Sequence, residues 1–259
     1  MIHHDFSPVE PWFQLAAALM LAWALMCYPM LAIWTNGRYR KWLLHRYLFW
    51  FAGVIAAGSA LIGPLADAAH TNFSAHMTGH LLLGMLAPLL LLHGKPLTLL
   101  MRGLPTNKAR QLSRLMNSRF IAAASHPVSA ALLNFGGLFV LYRTSLFVWM
   151  HQSTWVYALV HLHVLLAGYV FTWSMLYTDL TAHRHSFRLR AGVLIVALAS
   201  HKILAKSLYA MPPAGVTTND GQLGAQIMYY GGDAVDVAII LLFCYSWYKA
   251  SAPGRIARA

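Results

Sequence analysis

Seven long apolar runs dominate this chain of 259 residues. Each is close to the roughly 20 residues that an α-helix needs to cross the hydrocarbon core of a bilayer. The runs cover residues 11–34, 46–66, 74–93, 122–142, 154–177, 190–210 and 224–248. An open sheet would leave unpaired backbone groups in hydrocarbon. The runs therefore predict an all-α polytopic membrane protein, with seven transmembrane helices in a single domain over residues 1–259.

The composition excludes a soluble globule. Hydrophobic residues make up 59% of the chain and charged residues only 10%, whereas soluble domains carry about 25% charged residues. The two cysteines, Cys27 and Cys244, lie inside apolar runs, so a disulfide scaffold is not expected. The net charge of +12 comes from basic residues in short loops between the runs. This pattern indicates contact with the lipid bilayer and no nucleic-acid partner.

The basic residues also predict an orientation. Of the 19 Lys and Arg, sixteen lie in the segments 35–46, 94–121 and 178–190 or in the C-terminal tail, which includes Arg255 and Arg258. The positive-inside rule places these segments in the cytoplasm, so the C-terminus is expected inside and the N-terminus outside. The first eleven residues lack the basic region of a cleavable signal peptide, so the first helix is expected to be retained.

Several ionisable side chains interrupt the apolar runs, where such groups are costly and point to function. They are His76, His80, His161, His163, His201, Lys202, Lys206, Asp233 and Asp236. A rise of 1.5 Å per residue places His80 about 9 Å from the outer end of its run, and His161, His201, Lys202 and Asp233 about 12–13 Å from theirs. Four helices thus bring polar groups to one layer in the outer half of the membrane.

Histidines in this layer have the spacing of metal ligands. His76 and His80 lie four residues apart, on one helix face, with Met77 beside them. Imidazole suits copper, zinc or iron, and a thioether favours Cu(I). His161 and His163 point about 200° apart on a helix, so one site takes only one of them. His161 is preferred, because Gly168 on its face permits close helix approach.

Structural roles for the same residues remain open. The histidine pair could simply lie at the membrane interface, and Lys202 or Lys206 could pair with Asp233 or Asp236 to neutralise charge without chemistry. His126-Pro127 is expected to begin a helix, and Pro88 is expected to loosen or kink the third run.

The segment HMTGHLLLGMLAP at residues 76–88 resembles the signature of the CtaG-type, caa-oxidase-associated cytochrome c oxidase assembly factors. Supporting matches are His126-Pro127, the segment HLHVLLAGY at 161–169, and DGQLG at 220–224 followed by Gly231-Gly232-Asp233. The resemblance covers the chain from the second run to the seventh. It implies a multi-pass protein of the bacterial inner membrane that takes part in oxidase biogenesis.

The resemblance also implies a cargo and a partner. Copper would be taken from the periplasmic side by His76, Met77 and His80, held deeper with His161 or His201, and passed to an oxidase subunit. Asp233 would orient a ligand imidazole or neutralise Lys202. Ligand exchange would be the mechanism, and no catalysis is expected. The sequence has no nucleophile–base pair, phosphate loop or H-E-x-x-H motif, and it carries no signal for an oligomeric state.

Two other classes of function use the same residues. A membrane haem or quinone redox protein could hold one haem between His80 and His161 or His201. His80 and His93 are thirteen residues apart, as two haem ligands on one helix would be, but no second run repeats that spacing. A coupled transporter could use Lys202, Asp233 and Asp236, but the chain lacks the paired inverted repeats typical of transporters.

Overall fold

A computed structural model of the protein describes residues 10–251, which form helices and connecting turns with no strand in that range. The N-terminal segment 1–9 and the C-terminal residues Arg255 and Arg258, which enter the orientation prediction, lie outside the described residues. The first half of the chain forms α1 (Pro11–Asn36), α2 (Leu44–Leu61), α3 (Pro64–Ala69), α4 (Phe73–His93), α5 (Pro96–Gly103), α6 (Thr106–Met116) and α7 (Arg119–Ala124). The second half forms α8 (Pro127–Arg143), α9 (Leu146–Gln152), α10 (Thr154–Leu176), α11 (Phe187–Ala210) and α12 (Thr218–Ser251).

The helices support a membrane protein with five or six spans. Five of them, α1, α4, α10, α11 and α12, are long and apolar enough to cross a membrane. A sixth crossing results if α8 and α9, which meet at a bend of 78°, count as one broken span. The all-helical prediction is confirmed, whereas seven spans and the orientation of the termini stay predictions.

The predicted second run, 46–66, is divided between α2 and α3. Helix α2 has 18 residues and carries His45 and Arg46 in its first turn, so its apolar part is short for a full crossing. It ends at Leu61, and Gly63 then adopts a φ of +86°, a left-handed conformation that favours glycine. Pro64 begins α3 immediately afterwards.

Three helices contain one π-helical turn each, at Leu82–Leu86 in α4, Leu132–Gly136 in α8 and Ile227–Gly231 in α12. The turn in α4 ends two residues before Pro88, which has no amide hydrogen to donate, so the loosening expected near this proline is present. Each π turn inserts one residue into its helix and changes the face that the following residues present. Such turns are frequent at functional sites.

Helix α4 occupies the centre of the structure, with α2, α3, α10 and α12 packed around it. Met77, Leu83 and Leu92 on this helix are fully buried. Its first turn is held by a carboxylate distant in sequence. Asp220, in the first turn of α12, accepts hydrogen bonds from the backbone amides of Phe73 at 2.5 Å and Ser74 at 3.1 Å. This contact satisfies two amides that the helix itself leaves unpaired.

Helices α4 and α10 approach each other at Gly84 and Gly168. A Cβ atom added to Gly168 would lie 2.1 Å from the carbonyl oxygen of Gly84 and 3.2 Å from Pro88. The close approach expected on the His161 face of this helix is therefore present. No side chain can move to relieve the first clash, because the obstructing atom belongs to the backbone.

We expect Gly168→Ala to lower the free energy of unfolding by about 1–3 kcal/mol, the usual cost of overpacking a core. Thermal unfolding in detergent measures the change. The control is Gly192→Ala on α11, where an added Cβ meets nothing within 4 Å and the better helix propensity of Ala makes the variant neutral or slightly stabilising. Equal melting of the two variants would contradict the packing described here.

Candidate functional site

A small cavity lies between the N-terminal half of α4 and its neighbours α8 and α10. Its polar lining consists of His76 and His80 from α4, Tyr142 from α8 and His161 from α10, and four apolar side chains complete it. We call it the histidine cavity. The centre of a water molecule can occupy a volume of about 10 Å³ inside it. That is enough room for one water molecule or one ion.

Hydrogen bonds orient two of the three imidazoles. His76 Nε2 lies 3.0 Å from the hydroxyl of Tyr142. His161 Nδ1 lies 2.9 Å from the carbonyl oxygen of Tyr157. Because a carbonyl only accepts, His161 donates from Nδ1, and the neutral ring then keeps its lone pair on Nε2. The His76 and His161 rings are nearly perpendicular, with centroids 6.4 Å apart.

His80 has an unsatisfied polar atom in this cavity. Its side chain is buried, and its Nε2 has no hydrogen-bond partner among residues 10–251. A buried nitrogen without a partner is costly and calls for a bound group, such as water or an ion. The cavity thus combines this orphaned nitrogen with the oriented imidazole of His161.

Two further histidines, which the sequence analysis missed, extend this group toward a surface cleft. The His151 ring on α9 lies 5.9 Å from that of His76 and 6.1 Å from that of His70, which follows α3. The carbonyl of Phe147 accepts from His151 Nδ1 at 2.8 Å. Both His70 and His151 line a cleft of about 410 Å³. Their positions within four residues of the predicted runs 74–93 and 154–177 are the signal that could have found them.

His70 is suited to remain neutral. Both of its ring nitrogens are buried without a hydrogen-bond partner in the described part of the chain. Burial lowers the pKa of His70 below its usual value, and the adjacent His151 lowers it further. A neutral imidazole keeps a lone pair for a metal ion or a hydrogen-bond donor.

A second polar group joins α11 to α12. Lys202 forms an ion pair with Asp233 and also donates to the carbonyl oxygen of Tyr229 at 3.2 Å. His201 Nδ1 lies 4.0 Å from a carboxylate oxygen of Asp236, and both residues are buried. The Lys202–Asp233 pair places opposite charges where the two helices meet.

The structure separates several residues that the sequence predicted as one site. Met77 is fully buried and packs close to Gly224 of α12, not in the lining of the histidine cavity. His163 lies on the exposed face of α10, where its Nε2 is 3.0 Å from the carbonyl oxygen of Leu133. His201 lies near the ring of Phe135, outside the cavity lining. Lys206 is exposed and lies over the Tyr229 ring.

Within residues 10–251, no group of three or more His, Cys, Asp or Glu side chains has an arrangement that could hold a metal ion. The histidine cavity instead offers two imidazoles with available nitrogens, His80 and His161. Two imidazole ligands suit a metal site of low coordination number, or a site to which a partner protein adds further ligands. They do not suit a closed structural site with four protein ligands.

Comparison with known proteins identifies the family. Residues 26–250 match the family described as cytochrome c oxidase caa3 assembly factor (Caa3_CtaG). The chain belongs to this family, since the match covers most of its length.

Curated relatives occur in mycobacteria. The uncharacterized protein ML1998 of Mycobacterium leprae is 30% identical over 180 residues, which cover 67% of this chain and 27% of that protein. The uncharacterized protein MT0111 of Mycobacterium tuberculosis is 31% identical over 188 residues, covering 69% and 27% respectively. The chain thus spans about a quarter of the length of these relatives. No solved structure matches.

We expect Tyr142→Phe to lower the free energy of unfolding by about 1–3 kcal/mol, because it leaves His76 Nε2 buried without its partner. Thermal unfolding measures the loss. Tyr245→Phe, which removes a hydroxyl from an exposed side chain of α12, is the control and should melt like the wild type. A Tyr142→Phe protein that also melts like the wild type would show that this hydrogen bond does not stabilise the cavity.

Proposed function

We propose that this member of the caa3 assembly factor family carries copper as cargo in the histidine cavity and delivers it to an oxidase subunit. One observation carries the proposal. The buried Nε2 of His80 has no partner in the described part of the chain, in a cavity that also holds the oriented imidazole of His161. Copper is the cargo that the family resemblance implies, and imidazole is one of its ligands.

The ligands available suit transfer more than storage. Cys27 and Cys244 are free thiols on α1 and α12, and neither lines the histidine cavity. Copper held by imidazoles lacks the thiolates that bind Cu(I) most tightly. A site of this kind releases its ion by ligand exchange when an acceptor presents stronger ligands. His76 holds its place through Tyr142 and is available as an additional ligand once that hydrogen bond breaks.

The route for the ion follows the outer histidines. His151 and His70 continue from His76 to the surface cleft in ring-to-ring steps of about 6 Å. The acceptor subunit would approach at this cleft, which lies on the side that the charge distribution predicts to be periplasmic. The Lys202–Asp233 pair joins α11 to α12 and neutralises charge behind the cavity.

The size of the cavity favours an ion over haem. The histidine cavity, with about 10 Å³ open to the centre of a water molecule, accommodates one ion or one water molecule. A macrocycle between His80 and His161 would require the surrounding helices to separate, and Gly84 and Gly168 hold two of them in backbone contact. The redox interpretation would therefore need a rearranged structure.

We expect purified wild-type protein loaded with copper to bind about one equivalent, and His80→Ala and His161→Ala to bind at least about tenfold more weakly. Changes to outer-sphere partners alone cost about 10–100-fold in metal affinity, so loss of a ligand should cost no less. Titration with a competing chelator measures the affinity. His163→Ala is the matched control, since His163 lies two residues from His161 on the exposed face of the same helix.

Unchanged copper affinity in both ligand variants would overturn the assignment of the cavity. A haem absorption spectrum in the purified wild type, lost in the same variants, would replace copper with haem. Delivery is tested in cells that lack the gene, where the wild type should restore the copper content and activity of the oxidase and His80→Ala should not.

A further inference from the structure

An apolar groove runs between α8 and α11. Its volume is about 670 Å³, and its lining is apolar except for Arg188 at one end and Ser200 at the other. The groove shares no lining residue with the histidine cavity. The two sites are therefore separate.

Missing side chains create the depth of this groove. Gly136 on α8 and Gly192 on α11 both line it, and a Cβ added to either would meet nothing within 4 Å. Neither glycine is explained by close helix packing or by a left-handed backbone, since both belong to right-handed helical segments. The two positions leave open space that a ligand can fill.

One end of the groove is positively charged. The rings of His126 and His185, which precede α8 and α11, lie 4.5 Å apart, so both helices start at this end. Arg188, in the first turn of α11, is exposed, and it has no ion pair or hydrogen-bond partner within residues 10–251. A free guanidinium at the mouth of an apolar groove suits an amphiphile with an anionic head.

The dimensions indicate an acyl chain as the occupant. From Arg188 to Ser200 the groove is about 18 Å long, close to the roughly 15 Å of hydrocarbon that one leaflet, and hence one acyl chain, spans. An extended hydrocarbon chain of this length can lie along the groove and reach the two glycines.

We propose that the groove binds one anionic phospholipid, with an acyl chain along Gly136 and Gly192 and the phosphate at Arg188. The segment 178–190, which includes Arg188, is predicted to be cytoplasmic, where anionic lipids attract basic residues. The charge of Arg188 selects an anionic headgroup, and the space at Gly136 and Gly192 admits the acyl chain. The site is independent of copper.

The test uses the full-length protein in nanodiscs that contain equal amounts of phosphatidylglycerol and phosphatidylcholine. Native mass spectrometry after mild delipidation counts the retained lipids. The wild type should keep one phosphatidylglycerol. Arg188→Gln should lower the preference for phosphatidylglycerol about fivefold, the factor that one basic residue contributes at an anionic headgroup, and Arg188→Lys should largely restore it. Gly192→Leu should reduce retention of both lipids, because its side chain occupies the groove.

Two controls change exposed residues outside the groove. Ala22→Leu adds a leucine to an exposed position of α1, and Arg114→Gln removes an exposed arginine of α6. Both should retain lipid like the wild type. Gly192→Leu should fold, since Leu is the better helix former, and thermal unfolding verifies this.

Equal lipid retention in the wild type, Arg188→Gln and Gly192→Leu would overturn the proposal. It would also fail if Gly192→Leu kept its lipid but lost co-purification of a membrane partner, because the groove would then be a helix-docking surface. Retention that depends on Gly192 but not on Arg188 would overturn the charge selection.

Discussion

Backbone contact between α4 and α10 determines where the histidines meet. The two helices approach so closely at Gly84 and Gly168 that a single methyl group at Gly168 would force them apart. His80 precedes Gly84 by one turn, and His161 precedes Gly168 by two turns. The separation of the two imidazoles, and hence the size of the cavity between them, follows from this contact. In a bilayer, where lipid is as apolar as a leucine side chain, such close packing supplies much of the force between helices.

Part of this arrangement could be predicted from the sequence. The 20-residue apolar runs indicate the long helices, and the spacing of His76 and His80 indicates their common face. The spacing of seven residues from His161 to Gly168 likewise indicates the face that packs on α4. The 78° bend between α8 and α9 could not be predicted, because the apolar run 122–142 stops before Leu146–Gln152 and gives no direction for that helix. Apart from the loosening expected near Pro88, the π turns could not be predicted either. Each contains one glycine, but Gly168 and Gly192 lie in regular α-helix.

The composition of the site was harder to predict than its position. Met77 is adjacent to His76 in sequence, but a step of one residue turns about 100° around a helix, and this turn takes Met77 to α12. His70 and His151 belong to segments between the long helices, where counting residues along a span assigns no depth. Only the tertiary structure shows that these segments fold over the end of the cavity and that His151 lies next to His76. Helical periodicity therefore cannot predict ligands that come from the short elements between the long helices.

The carboxylate of Asp220 has a consequence for biosynthesis. It completes the first turn of α4, although it is synthesised 147 residues after Phe73. While the ribosome is still making the segments between them, the amides of Phe73 and Ser74 have no such acceptor, and the turn that leads to His76 is not yet fixed. This contact therefore forms only after the start of the last helix has been synthesised. A nascent chain that ends before Asp220 contains the histidines of the cavity but lacks this contact at the start of their helix.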